Sequence, residues 1–231
     1  MAVATYVLIH GAGDSAFYWH LLEPELRQRG NDVVAMDLPC EDESAGLNEY
    51  ADTAIDAIGD RTDLILVAQS FGGFTAPLVS ARRPVELIVL VAGMIPRPGE
   101  KGDDWPANTG FDEAARKSGA DYSDDMAVFY SDVPRDLAEE AIRHARTQAD
   151  KPGQEPWPLD SWPDVPTRYL LCRGDHFFPP EWMRGVVRDR LGITPDELEA
   201  GHCPALSRPG ELAERLDAYR TSLTASGSVG S

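Results

Sequence analysis

Leu64-Ile65-Leu66-Val67-Ala68-Gln69-Ser70-Phe71-Gly72-Gly73 is the stretch that decides how this chain folds. An apolar run of strand length ends at a serine, and a helix-like segment from Phe74 to Arg82 follows. A serine raised clear of a sheet on a tight strand-to-helix turn needs small neighbours two places before and after it, where strand and helix crowd together. Ala68 and Gly72 occupy those places. Alone, Ala-x-Ser-x-Gly is equally an ordinary turn, so the reading depends on partners elsewhere.

Working outward, Tyr6-Val7-Leu8-Ile9 is another buried-strand run, ending at His10-Gly11-Ala12-Gly13. Ser15 to Arg29 carries Leu21, Leu22 and Leu26 at helical spacing before Gly30, and Val33 to Met36 reads as the second strand. Leu47, Tyr50, Ala51, Ala54, Ile55 and Ile58 mark an amphipathic helix stopped by Gly59. Beyond the serine, Pro77 predicts a bend or an early helix end, and Leu87 to Val91 is the next strand. This alternation predicts an α/β fold, a mainly parallel sheet with helices on both faces. It does not give the strand order.

From Met94 to Val165 the regular alternation stops. Prolines, tryptophans and acids dominate, and a helix is expected to begin near Asp132, with that side chain as its cap and Pro134 in its first turn. Residues 94–165 read as a lid inserted into a core made of 1–93 and 166–223. Its aromatics Trp105, Phe111, Phe129, Tyr130, Trp157 and Trp162 either form the lid's own small core or line a pocket beneath it. Tyr169 to Cys172 resumes the sheet before Arg173-Gly174-Asp175-His176-Phe177, and a helix runs from about Pro180 to Leu191. Glu197-Leu198-Glu199 then leads to Gly201-His202-Cys203-Pro204. Leu212, Leu216, Tyr219 and Leu223 mark a last helix, and the Ser/Gly-rich residues 224–231 read as a disordered tail.

Bulk properties exclude several function classes. The chain has 231 residues, room for one α/β domain with an insertion but not for two independent domains. A formal charge of −18 disfavours nucleic acid and anionic membrane surfaces as partners. No apolar run approaches the roughly 20 residues that span a bilayer, and the N-terminus enters a strand almost at once without a basic leader. Cys40, Cys172 and Cys203 are odd in number and lack metal-site spacing. Together these predict a cytoplasmic protein, monomer or homodimer, with no metal and no organic cofactor.

The chemistry is expected at the carboxyl ends of the strands, where open parallel sheets bind ligands. Ser70, Asp175 and His202 each follow such an end, in the order nucleophile, acid, base. An imidazole must take the serine proton, and a carboxylate must hold that imidazole's tautomer. The oxyanion that develops needs two donors, assigned here to the backbone N–H groups of Ala12 and Phe71, each contributing about 2.7–4 kcal/mol. Gly11, Trp105, Phe129, Trp157 and Phe177 are the expected pocket residues. His176 reads as rim or surface, His10 as a backbone-bonding loop anchor, His20 and His144 as exposed, and Cys203 as packing.

These residues resemble the α/β-hydrolase superfamily, and within it the small lidded esterases that include plant methyl-ester esterases and hydroxynitrile lyases. The likeness is carried by Val7 to Ala12, Ala68 to Gly73, Phe129-Tyr130-Ser131-Asp132-Val133-Pro134 and Gly201 to Ser207, and it runs from about Ala4 to Leu223. The lyases carry threonine after the strand-end histidine and lysine after the catalytic one. Gly11 and Cys203 stand there instead, siding with the esterases. Gln69 departs from the histidine that many members place before the serine. The resemblance implies a serine carboxylesterase acting on a small-molecule ester with an apolar or aromatic part. The alternatives are a lyase on the same triad and a ligand-binding receptor with slow residual hydrolysis.

Overall fold

Strands β1 (Thr5–Ile9), β2 (Asp32–Ala35), β3 (Leu64–Gln69), β4 (Leu87–Val91), β5 (Thr167–Cys172) and β6 (Asp196–Leu198) form one sheet in the order β2-β1-β3-β4-β5-β6. Every neighbouring pair is parallel. The structure, a computed structural model, describes residues 3–227. β1, β3 and β4 are buried along their whole length, which is why they read as unbroken apolar runs. Successive side chains still leave on opposite faces. Leu66, Ala68, Ile88 and Leu90 join one core with helices α2 (Leu47–Ile58), α3 (Gly72–Ser80) and α9 (Pro180–Leu191). Ile65, Val67, Val89 and Val91 join the other with α1 (Leu22–Gln28) and α11 (Pro209–Gly227). This is the α/β-hydrolase architecture that the sequence leads one to expect.

β1 has β2 on one side and β3 on the other, so the chain leaves β1 in one direction and returns in the opposite one. Such a reversal opens a crevice beyond the strand ends. The register pairs Ile9 with Ala68, which sets the loop after β1 directly beside Ser70.

The chain between β4 and β5 adds no strand to the sheet. It carries α4 (Trp105–Thr109), α5 (Phe111–Ser118), α6 (Asp125–Phe129), α7 (Arg135–His144) and α8 (Lys151–Gln154). Trp157 fixes it to the core, buried with its Nε1 donating to the Phe74 carbonyl of α3 at 3.0 Å, while the buried Trp105 donates to the Ile95 carbonyl of the same segment at 3.0 Å and packs its ring on Phe178 and Trp182.

Four expectations need correction or refinement. Ser15 to Arg29 is not one helix, because a 3₁₀ turn at Ala16–Trp19 precedes α1. Pro24 sits in the first turn of α1, where its missing N–H, which would otherwise bond the His20 carbonyl, is tolerated, and this places the helix start just before it. α3 runs through Pro77 but ends within one turn of it, at Ser80. Asp132 does not cap α7, which begins at Arg135 behind Pro134; its carboxylate is engaged by the Gly201 N–H instead. Finally, α11 extends to Gly227, so residues 224–227 are helical rather than disordered tail, and 228–231 lie outside the described residues. Among the described residues no helix is long and apolar enough to cross a membrane.

Candidate active site

Ser70 stands between β3 and α3 with φ 50°, in the left-handed region that a residue with a side chain seldom occupies. Such a conformation costs roughly 1–3 kcal/mol and persists only where the surroundings enforce it. Here the Ser70 carbonyl accepts from Gly73 N–H at 3.1 Å and Met94 N–H at 2.8 Å, while the Ser70 N–H reaches the Val91 carbonyl at 3.4 Å. Glycine follows for a steric reason. A Cβ at position 72 would lie 2.8 Å from the carbonyl oxygens of both Ile9 and His10, and one at position 73 would lie 2.0 Å from that of Met94.

Asp175, past the end of β5, is buried and holds its carboxylate by two backbone donors. Oδ1 accepts from the N–H groups of Phe177 at 2.8 Å and Phe178 at 2.9 Å. Oδ2 accepts from Nδ1 of His202 at 2.9 Å, which places a proton on Nδ1. His202 is buried as well, and the rings of Phe129, Phe177 and Phe178 stand 5.1–5.4 Å from it, edge-on. Its carbonyl accepts from Nε2 of Gln69 at 3.3 Å.

Ser70 and His202 open into one cavity of about 410 Å³, shared with Gly11, Ala12, Phe71, Phe129 and Phe177. The N–H groups of Ala12 and Phe71 find no acceptor among the described residues, as expected of donors reserved for a ligand. The loop bearing Ala12 is tied down at Gly13, whose N–H donates to Gln148 Oε1 at 3.0 Å and whose carbonyl accepts from Arg146 N–H at 2.7 Å. Gly13 has φ 62°, and a Cβ there would meet the Arg146 carbonyl at 2.9 Å. His10 anchors the same loop. Its Nδ1 donates to the Gly11 carbonyl at 2.8 Å and its Nε2 accepts from Leu38 N–H at 3.0 Å, and burial lowers its pKa to about 4.

Two expected pocket residues are elsewhere. Trp105 and Trp157 do not line the cavity; their indole nitrogens are spent on backbone carbonyls, and their rings fill the interface between insertion and core. Phe111 packs on Phe177, Phe178 and Trp182, while Trp162 stacks on Trp157. His176 is exposed and bonds the Ala127 carbonyl at 3.0 Å, away from Ser70. His144 is exposed, but His20 is only half-exposed, and the two stack on either face of Phe17. Burial pushes the Cys203 thiol well above its usual range, leaving it protonated and inert.

The cavity also holds Tyr130, one of the lid aromatics the sequence offered for a pocket, and Gln69, together with residues that sequence reasoning passed over: Asp14, Met94, Ile142 and Arg146 among them. Asp14 follows Ala12 by two places, so adjacency was an available signal. Burial raises its carboxyl to about 6. Ile142 is one of the few large apolar side chains left exposed, at 42%, which marks it as part of the cavity mouth.

A family model described as "Alpha/beta hydrolase family" matches residues 6–215. The chain belongs to that family. Among relatives of this alpha/beta hydrolase, norfluorocurarine synthase 1 of Strychnos sp. is 25% identical over 91% of this chain and 93% of its own length. Methylesterase 7 of Arabidopsis thaliana is 26% identical over 91% and 94%. The crystal structure of a pyrethroid hydrolase from Sphingobium faniae JZ-2 superposes with TM-score 0.77 at 22% identity, covering 95% of this chain and 98% of that one, which is a likeness of fold.

Proposed function

We propose that this alpha/beta hydrolase is a serine carboxylesterase. The observation that carries the proposal is the convergence of a strained Ser70, the buried His202–Asp175 pair and two unpaired backbone donors on one cavity. Ser70 Oγ attacks the ester carbonyl as His202 Nε2 takes its proton, and Asp175 stabilises the imidazolium that forms. The N–H groups of Ala12 and Phe71 receive the oxyanion. Collapse of the tetrahedral intermediate expels the alcohol, protonated by His202, and leaves an acyl-serine. Water, deprotonated by the same imidazole, then releases the acid and restores Ser70.

A cavity of about 410 Å³ with Phe71, Met94, Phe129, Tyr130 and Phe177 on its walls suits a small to medium ester with an apolar or aromatic portion. Residues 94–165 act as its lid, through Phe129, Tyr130 and Ile142. The esterase and hydrolase names of several relatives favour the same chemistry. Against a cyanohydrin lyase stands Gly11. A Cβ there would lie 2.5 Å from Gln69 Oε1 and 3.0 Å from Ser70 Cβ, so the threonine of the lyases would have to displace the Gln69 side chain and crowd Ser70. The three cysteines are unpaired and buried, compatible with a reducing, cytoplasmic setting.

Labelling with a fluorophosphonate, followed by mass identification of the modified residue, tests the nucleophile. Modification of Ser70 is expected, and loss of it in Ser70→Ala; labelling at another serine would overturn the assignment. A panel of aryl and methyl esters then tests turnover, and cyanohydrin cleavage faster than every ester would return the lyase reading.

A further inference from the structure

The base of the proposed triad is carried on a loop, and the contacts of that loop identify a residue outside the triad. Gly201, immediately before His202, donates its N–H to Asp132 Oδ2 at 2.8 Å. Asp132 belongs to the inserted segment, between α6 and α7, and is 69 residues away in sequence. Its other oxygen, Oδ1, is buried and has no hydrogen-bond partner. The fit against the loop is close: a Cβ on Gly201 would stand 2.3 Å from Oδ1 and 3.0 Å from Cγ.

A buried carboxylate oxygen without a partner is costly, and a helix cap would have been the ordinary use of an aspartate at this place. The side chain instead spans from insertion to sheet and fixes the peptide that precedes the catalytic histidine. On the far side, Gln69 holds the His202 carbonyl. The imidazole is thereby located at three points: Gly201 N–H, His202 carbonyl and Nδ1. Of these, only the Asp132 contact comes from the insertion.

We infer that Asp132 is a positioning residue for His202, coupling the seating of the inserted segment to the orientation of the base. The inference rests on the esterase reading for the role of His202. What it requires of Asp132 is the acceptor oxygen and not the charge. An asparagine keeps an oxygen for Gly201 N–H, and its NH2 takes the place of an oxygen that already has no partner.

The test compares Asp132→Ala with Asp132→Asn in two channels, aryl-ester turnover and the rate at which a fluorophosphonate labels Ser70. Misplacing a catalytic group costs up to about 100-fold, so D132A is expected to lose about 10- to 100-fold in kcat and in labelling rate, with KM within about twofold. D132N is expected to stay within about threefold of the wild type in both channels, with a melting temperature no lower. Unchanged labelling in folded D132A, or a D132N as slow as D132A, would overturn the inference. If D132A does not fold, Gly201→Ala replaces it, since the added methyl drives the loop off the carboxylate; full activity in that variant would equally overturn it. Absence of ester turnover in the wild type breaks the esterase reading alone, because the labelling rate still reports on His202.

Discussion

The loops at the strand ends and the insertion between β4 and β5 contribute to the cavity in different currencies. From the strand ends come the proposed reacting groups, Ser70, Asp175 and His202, and the two open backbone donors, each placed within a residue or a few of a strand held in register by its parallel neighbours. From the insertion come apolar walls, Phe129, Tyr130 and Ile142, together with polar tethers on the chemical loops: Asp132 on Gly201, and Arg146 and Gln148 on Gly13. A parallel sheet delivers positions that tolerate little error, so it suits chemistry. A segment built from short helices is freer to vary in shape, which under the proposed function suits selection of substrate, and its tethers reach the loops that carry the proposed chemistry.

That contrast can be broken most decisively at the strand ends. Ser70→Ala should lower kcat/KM for aryl esters by about 10⁵-fold or more while leaving thermal unfolding nearly unchanged. Turnover that survives would place the nucleophile elsewhere. Asp175→Asn should cost about 10³- to 10⁴-fold by leaving His202 in the wrong tautomer, seen as a kcat loss at constant KM.

Among the aromatic side chains, effects should separate by the direction each one faces. Trp157→Ala removes a buried indole and its bond to the Phe74 carbonyl, and should destabilise the fold by about 3–5 kcal/mol in denaturant titration. The folded fraction should keep its KM, and a changed KM would return Trp157 to the pocket. Phe177→Ala opens the wall beside His202 and should raise KM about tenfold for aromatic esters, less for methyl esters of short acids. Equal effects on both classes would argue against an aromatic subsite.

The smallest expected effect concerns pH. Burial raises the half-buried Asp14 carboxyl from 3.8 to about 6. The native state therefore binds a proton that the unfolded chain has already released, and stability falls as pH rises from about 4 to about 6, then stays lower. Asp14→Asn should remove that loss, gaining about 1 kcal/mol near pH 8 and nothing near pH 4. His10 acts with the opposite sign: lowered from 6.5 to about 4, it contributes stability above pH 6.5 that is lost on acidification toward pH 4. Melting curves of D14N against pH should thus fall more steeply on the acid side than those of the wild type. Parallel curves would show that Asp14 is not held in a desolvated place.

Strand membership, the parallel sheet and the three candidate catalytic positions were legible in the chain because they follow from local rules. Apolar runs buried on both faces announce parallel strands, and glycine or alanine beside Ser70 announces a turn where strand and helix crowd. His10 was legible as a loop anchor because a buried imidazole at a strand end finds backbone partners close by. What the sequence could not decide depends on which distant segments meet. Trp105 and Trp157 are aromatic whether they face a ligand or the core, and only packing assigned their indole nitrogens to the Ile95 and Phe74 carbonyls. Asp132 and Pro134 form a plausible helix start by local chemistry, yet a contact 69 residues away claims the carboxylate for Gly201. By itself the sequence determined the strands, the turn at Ser70 and the order of the candidate groups, all governed by near neighbours and burial; the tertiary structure alone decided strand order, the cavity wall and the tie on the His202 loop, because those are properties of juxtaposition.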